Sequence, residues 1–162
     1  MTQHTLSVLV ENKPGVLSRV AGMFTRRGYN IDSLAVSPTE DEHRSRMTIT
    51  VDASRFPVEQ ITKQLDKLIN VIKVRDLDPE NMVARELGLF KVSTQQAQRA
   101  DVLALVDIFK GEIVDVTSES MIIQATGTTA ELENLEELLR GSGLVEMVRT
   151  GVVALGRGGK TT

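Results

Sequence analysis

Two periodicities trade places along the first half of this chain in a fixed order, and that order narrows the possible folds more than any other feature. The run Thr5-Leu-Ser-Val-Leu-Val10 is β-rich and largely apolar, as a central strand should be. Asn12-Lys-Pro-Gly15 breaks it and starts a helix, with Asn12 as N-cap and Pro14 in the first turn, where a missing N–H costs little. Val16, Leu17, Val20, Ala21 and Phe24 fall on one helical face, and Arg26-Arg27-Gly28 closes the helix. A strand over 30–37, a polar hairpin loop at Pro38-Thr-Glu-Asp-Glu42 and a cleanly alternating strand over 46–51 follow. A helix after Pro57, with Val58, Ile61, Leu65 and Leu68 on one side, and a strand over 71–74 complete the order βαββαβ. That order describes a ferredoxin-like split βαβ: a four-stranded antiparallel sheet with two helices on one face.

The pattern then runs a second time. Residues 78–84, opened by Asp78-Pro-Glu-Asn81, read as a linker. Next come a strand over 87–92 and a helix over 99–109, turned inward through Val102, Leu103, Val106 and Phe109 and ended by Gly111. A hairpin of 113–116 with 121–125 turns around Ser118-Glu119. Thr128-Thr-Ala-Glu131 is a capping box, starting a helix lined by Leu132, Leu135 and Leu139, and a strand over 144–148 ends the series. The repeat is one of architecture and not of residues. The expected class is α+β, with two ferredoxin-like βαββαβ modules: 1–77, a linker at 78–84, and 85–162, the last carrying a Gly-rich, weakly basic tail from Gly151. Modules of about 75 residues have small cores and unpaired sheet edges, so pairing of sheets between two chains is favourable and a homodimer is expected.

Composition removes most catalytic chemistry. Cysteine is absent, which excludes disulfides, thiolate metal sites and cysteine nucleophiles. His4 and His43, the two histidines, give a metal cluster almost no material and have no marked partners for a Ser/His/Asp set. Gly156-Arg-Gly-Gly-Lys-Thr161 resembles a phosphate loop only at its end, because Ala154 stands where the first glycine belongs and no helix follows the lysine. Glu40-Asp41-Glu42 lacks calcium-loop spacing, and Glu131, Glu133, Glu136 and Glu137 suit a solvated helix face. No catalytic, metal-binding or cofactor-binding residue is expected. Aromatic content of 3% without tryptophan leaves few faces on which bases could stack. Net charge is −3, split into about +2 over 1–76 and −5 over 77–162, and this also argues against nucleic acid. No apolar run nears the ~18 residues of a membrane span. The opening Met-Thr-Gln-His-Thr-Leu lacks the basic and apolar regions of a signal peptide, so a cytoplasmic location is expected.

What remains is binding. The loop at 12–15 leaves a strand and enters a helix, so its backbone N–H groups point outward at the positive end of the helix dipole. Such a place suits the carboxylate of an amino acid. Gly15 permits close backbone approach, and the Asn12 amide can accept from an ammonium or donate to a carboxylate. A plain cap and a plain turn account for the same two residues. Gly28 explains itself as the residue past a helix end, and Asn30 is either a turn residue or a second ligand-binding amide.

The segment Leu6-Ser-Val-Leu-Val-Glu-Asn-Lys-Pro-Gly-Val-Leu-Ser-Arg-Val20 resembles the start of an ACT domain, and Phe24-Thr-Arg-Arg-Gly-Tyr-Asn-Ile-Asp-Ser-Leu34 continues the likeness. With Ser45-Arg-Met-Thr-Ile49, Phe109-Lys-Gly-Glu-Ile-Val-Asp-Val-Thr117 and Thr150-Gly-Val-Val-Ala-Leu-Gly-Arg-Gly158, nearly the whole chain is similar to the small regulatory subunits of acetolactate (acetohydroxyacid) synthase. The resemblance implies an N-terminal ACT domain, a second ferredoxin-like domain, and dimers that bind valine or another branched-chain amino acid between paired ACT domains. It implies a large catalytic subunit as partner, activated by this chain and made subject to feedback inhibition in branched-chain amino-acid biosynthesis. Thiamine diphosphate, magnesium and FAD would belong to that partner. The implied effector positions are Asn12, Gly15, Val16 and Leu17, completed by Asn30, Ile31, Ala35 and Val36, with some contributed by the neighbouring chain. Ala35-Val-Ser37 is less fixed within the family, which leaves effector preference open. A free-standing sensor acting on transcription would need a helix-turn-helix or a basic stripe, and an RNA-binding module would need strand aromatics. The acidic second half and the basic tail are equal candidates for the partner-binding surface.

Overall fold

The computed structural model describes residues 3–95 and 99–162; Met1 and Thr2, the start of the segment read for a leader, lie outside them. Two units emerge, Met1–Ala84 together with Val152–Thr162, and Arg85–Gly151.

In the first unit the apolar alternation of β1 (Gln3–Glu11) builds the centre of a sheet. Around it stand α1 (Val16–Arg27), β2 (Asn30–Pro38), β3 (Arg44–Asp52), α2 (Val58–Asp66) and β4 (Val71–Leu77). The strand order is β2-β3-β1-β4, antiparallel throughout. Cross-strand partners Leu6↔Ile49 and Val8↔Met47 point the same way, beneath the helices, and with Val20, Phe24, Ile61 and Leu65 they form the core. Burying each such side chain contributes about 1.5–3 kcal/mol. Met23 fills a core position that the spacing did not suggest, whereas Leu17, expected on the inner face, is 46% exposed. α1 ends as expected: Gly28 takes the left-handed conformation at φ 70°, and the N–H of Tyr29 donates to the Phe24 carbonyl.

The opposite face of this sheet is polar, yet buried. Thr5, Ser7, Thr48 and Thr50 are all inaccessible, Ser33 and Thr50 hydroxyls lie 2.6 Å apart, and Arg46 donates to Ser7 Oγ. The residues from Val152 onward, expected as a tail of the second module, belong here instead. Val152 and Ala154 are buried, and the Val152 N–H reaches Ser33 Oγ at 3.4 Å. At the other edge Lys73 Nζ donates to the Thr161 carbonyl. The segment contains a strand, β9 (Val153–Gly156), and the Arg157 N–H donates to the Asn81 carbonyl just before β5 (Met82–Ser93). The physical reason is the polar face itself, whose hydroxyls and strand edge offer the segment hydrogen-bond partners.

The expected linker is mostly ordered. Asp78 caps a short 3-10 turn, Pro79–Asn81, and β5 starts at once. The second unit continues through α3 (Arg99–Ile108), β6 (Glu112–Val116), β7 (Ser120–Gly127), α4 (Thr129–Arg140) and β8 (Leu144–Arg149). Its order, β6-β7-β5-β8, matches that of the first sheet. Phe90, Val92, Ile123, Leu132, Leu135 and Leu139 fill the core. Leu103, expected to face inward, is 46% exposed, while Leu105 packs against the core. Thr128 caps α4 as expected, accepting from the Glu131 N–H at 3.2 Å.

This unit also buries a charge. Glu86, 4% exposed, accepts from Thr129 Oγ1 at 2.6 Å and from Arg149 Nε and Nη2 at 3.3 and 2.9 Å. Hydrogen bonding to Glu86 holds the Arg149 guanidinium above its usual range despite partial burial, with Glu86, Glu133 and Glu136 adding their negative charge.

Candidate ligand-binding site

The loop at 12–15 forms differently from the sequence expectation. α1 starts at Val16, and its N-cap is Gly15 in the left-handed conformation, φ 84° and ψ −8°. Pro14 therefore precedes the helix. Asn12 is not the cap: its N–H donates to the His43 carbonyl and its Nδ2 to the Glu42 carbonyl, both across the β2–β3 hairpin. No side chain caps α1. The positive end of its dipole is thus left without the oxygen that a Ser, Thr or Asp would supply. Nothing lies within 4 Å of where a Gly15 Cβ would stand, so space at the turn is open.

Both shoulders of the loop carry polar side chains. Lys13 Nζ lies 2.9 Å from Glu11 Oε2, Asn70 Nδ2 donates to the same oxygen at 3.2 Å, and Arg19 Nη1 donates to Asn70 Oδ1 at 2.8 Å. Hydrogen bonds from Lys13 and Asn70, with the Lys13 charge, hold the Glu11 carboxyl below its ordinary value. An open cleft of about 370 Å³ runs beside them, lined by Glu11, Asn12, Lys13, Asp41, His43, Arg44 and Ile72.

The expected residues divide into groups. Asn12, Gly15, Val16 and Leu17 adjoin one another, but the Val16 side chain is buried in the core, leaving only its backbone available. Leu17 presents its side chain outward. On β2, Ile31 and Val36 pair with Val51 and Met47 and so share the helix-bearing face, with Val36 43% exposed. Ala35 pairs with Thr48 on the opposite face. Asn30 is exposed and donates to Asp32 Oδ1. Because β3 lies between β1 and β2, only the Pro38 end of β2 stands level with the end of β1, two strand spacings or about 9–10 Å away, whereas Asn30 and Ile31 lie level with Gln3 and His4 at the opposite end of the sheet. One chain alone does not gather all eight residues around one small ligand.

Lys13, Arg19 and Asn70 were not singled out by sequence reasoning. Lys13 had a signal, its place inside the loop. Asn70 had none, since it meets Glu11 across 59 residues. Among the described residues no group of three His, Cys, Asp or Glu side chains is placed to hold a metal, and no helix is long and apolar enough to cross a membrane.

Comparison with known proteins covers both units. A family described as the AHAS small subunit-like ACT domain matches residues 6–73, and one described as the small subunit of acetolactate synthase matches residues 85–158. An acetolactate synthase small subunit from Mycobacterium bovis is 53% identical over 155 residues, 96% of this chain and 92% of that one. A probable acetolactate synthase small subunit from Archaeoglobus fulgidus is 49% identical over 158 residues, covering 98% and 99%. The crystal structure of the acetolactate synthase small subunit from Thermotoga maritima superposes with a TM-score of 0.90 at 41% identity, over 99% of this chain and all of that one.

Proposed function

The chain belongs to the acetolactate synthase small-subunit family, with an ACT regulatory domain as its first unit, and from that premise we propose that it binds valine, or another branched-chain amino acid, and transmits that binding to a large catalytic subunit. In this reading the assembled enzyme is more active with the chain than without it and becomes feedback-inhibited by the effector. Thiamine diphosphate, magnesium and FAD belong to the large subunit, whose chemistry this chain modulates.

The observation that carries the reading is the uncapped start of α1 beside the left-handed Gly15. The effector's carboxylate docks on the N–H groups of residues 15–17, where the helix dipole favours an anion. The Nδ2 of Asn12 is engaged by the Glu42 carbonyl, so its Oδ1 is the atom that meets the ammonium. β2 lies at the sheet edge, and antiparallel pairing of two such edges turns the Asn30 and Ile31 end of one copy toward the loop end of the other, whose own Val36 lies nearer that end. Ile31 of one copy and Val36 of the other then take the branched side chain. Ala35, on the far face, acts at most through the packing of β2. Binding across this junction favours one arrangement of the two copies, and a coupling of ~1–3 kcal/mol to the large subunit is enough for strong inhibition.

The test is acetolactate formation by the large subunit, with and without this chain, across a valine titration. Stimulation followed by inhibition is expected, and Gly15→Asp should abolish the valine response by setting a carboxylate against the ligand's own. No change in rate or valine response with the intact chain would sink the regulatory reading and point to a free-standing amino-acid sensor. A fully sensitive Gly15→Asp enzyme would refute the site.

A further inference from the structure

Loop 12–15 is bracketed by one residue distant in sequence. Asn70, in the turn between α2 and β4, accepts from Arg19 in the first turn of α1 and donates to Glu11 at the end of β1. Its backbone carbonyl also accepts from the Glu11 N–H at 2.9 Å. The amide can sit only one way round, because a guanidinium only donates and a carboxylate only accepts. Lys13 joins through the same Glu11 oxygen, which brings a side chain of the loop itself into the network. On its other side the loop is held by Asn12, whose N–H and Nδ2 donate to the His43 and Glu42 carbonyls, and by the Lys13 N–H, which donates to the Glu11 carbonyl; the Gly15 end has no such tie. Gly15 is conformationally permissive, and no side chain caps the helix that follows.

We propose that Asn70 is the positioning residue of this loop, setting the distance between the end of β1 and the first-turn N–H groups of α1 that a ligand carboxylate would meet. The identity of the ligand rests on the function proposed above; the positioning of the loop does not. Asn70 touches no ligand in this account. Its side-chain contacts are one exposed and one half-buried hydrogen bond, which add little to global stability, so its removal should register in the loop far more than in the melting temperature.

The experiment uses the full chain and two readouts: calorimetric titration with valine, and exchange, without ligand, of the hydrogen-bonded amides of Glu11, Asn12, Lys13 and Arg19. Asn70→Ala should weaken valine binding about tenfold, the loss expected for charge-assisted hydrogen bonds. It should also speed exchange at residues 11–13 and 19 while moving the melting temperature by no more than about 2–4 °C. Asn70→Asp keeps the acceptor for Arg19 but opposes Glu11 with a like charge, so it should be as weak as Asn70→Ala. Adding Glu11→Gln to Asn70→Asp reverses donor and acceptor, and should recover most of the affinity and protection. If the wild-type chain binds valine and Asn70→Ala matches it in affinity and exchange, the positioning role is wrong while the proposed function stands. If the wild type fails to bind valine, valine is not the effector, and exchange alone decides: unchanged protection in Asn70→Ala overturns the inference, and faster exchange supports it.

Discussion

The two units share a strand order but treat charge and helix ends in opposite ways. In the second, Glu86 is buried beneath the start of α4, met by a two-pronged Arg149 and a threonine hydroxyl, and Thr128 caps the helix. In the first, Glu11 sits at the surface in a looser set of contacts with Lys13 and Asn70, and α1 opens on a glycine with no capping side chain. The polar groups of the second unit are spent on its own backbone and core. Those of the first are left facing outward at a helix start, where they add little to stability and remain free to meet something else. One topology thus supports a closed end and an open one, and the side chains at a few junctions decide which.

The sharpest way to break this contrast is Arg149→Ala. It strands Glu86 without its cation in a buried position and should cost about 3–5 kcal/mol. Thermal unfolding, with hydrogen exchange in β5 and β7, should report the loss, and exchange at residues 11–13 and 19 should stay unchanged. Replacing both partners, Arg149→Leu with Glu86→Leu, should recover much of that stability. Next in size is a pair of cap substitutions. Thr128→Ala removes a capping oxygen and should cost about 1 kcal/mol. Gly15→Ala forces a side chain into the left-handed region at a cost also near 1–2 kcal/mol, without any clash. Matched in stability, the two should differ in valine titrations, with only the Gly15 variant altered.

A smaller effect separates the units by pH. The Glu11 carboxyl titrates below its ordinary 4.5 because Lys13 and Asn70 stabilise the anion. A depressed folded value means that the contribution of this network is complete above about 4.5 and is lost as pH falls through the folded value. Exchange protection at residues 11–13 and 19 should therefore hold from neutrality to about 4.5 and decline below it, and Glu11→Gln should remove the step. Smallest of all is Tyr29→Phe. The Tyr29 ring packs edge-on against Phe24 and Phe56, but its buried hydroxyl has no partner among the described residues. Thermal melts should show this change as neutral or stabilising by up to ~1 kcal/mol.

Local signals carried much of the fold. The Thr128/Glu131 capping box acts within four residues, Gly28 ends α1 by its own conformational freedom, and Leu132, Leu135 and Leu139 mark a buried stripe by spacing alone. What local signals missed depends on distant partners. Asn12 is a good N-cap by residue type, but carbonyls of the β2–β3 hairpin, thirty residues on, take its amide, and the helix starts later. Leu103 fits an inward spacing, yet the buried stripe of α3 centres on Val102 and Val106. For the candidate site, the loop was legible because its glycine and helix start are contiguous. Asn70 was not, because nothing near it in sequence marks it as the neighbour of Glu11 and Arg19. The strand in Val152–Thr162 was hidden by its glycines, although Val152 and Ala154 already alternate as buried positions.

That strand bears on how the chain comes off the ribosome. The first unit is written in two pieces, separated by every residue of the second, and Val152 reaches Ser33 across 119 positions. During synthesis the polar face holding Ser7, Ser33 and Thr50 must wait for a segment made only after the whole second unit has emerged. Such distant pairings form slowly, and the half-finished sheet is the species most exposed to wrong partners. The nascent chain therefore has a built-in order: the later unit can complete itself first, and the earlier one closes last.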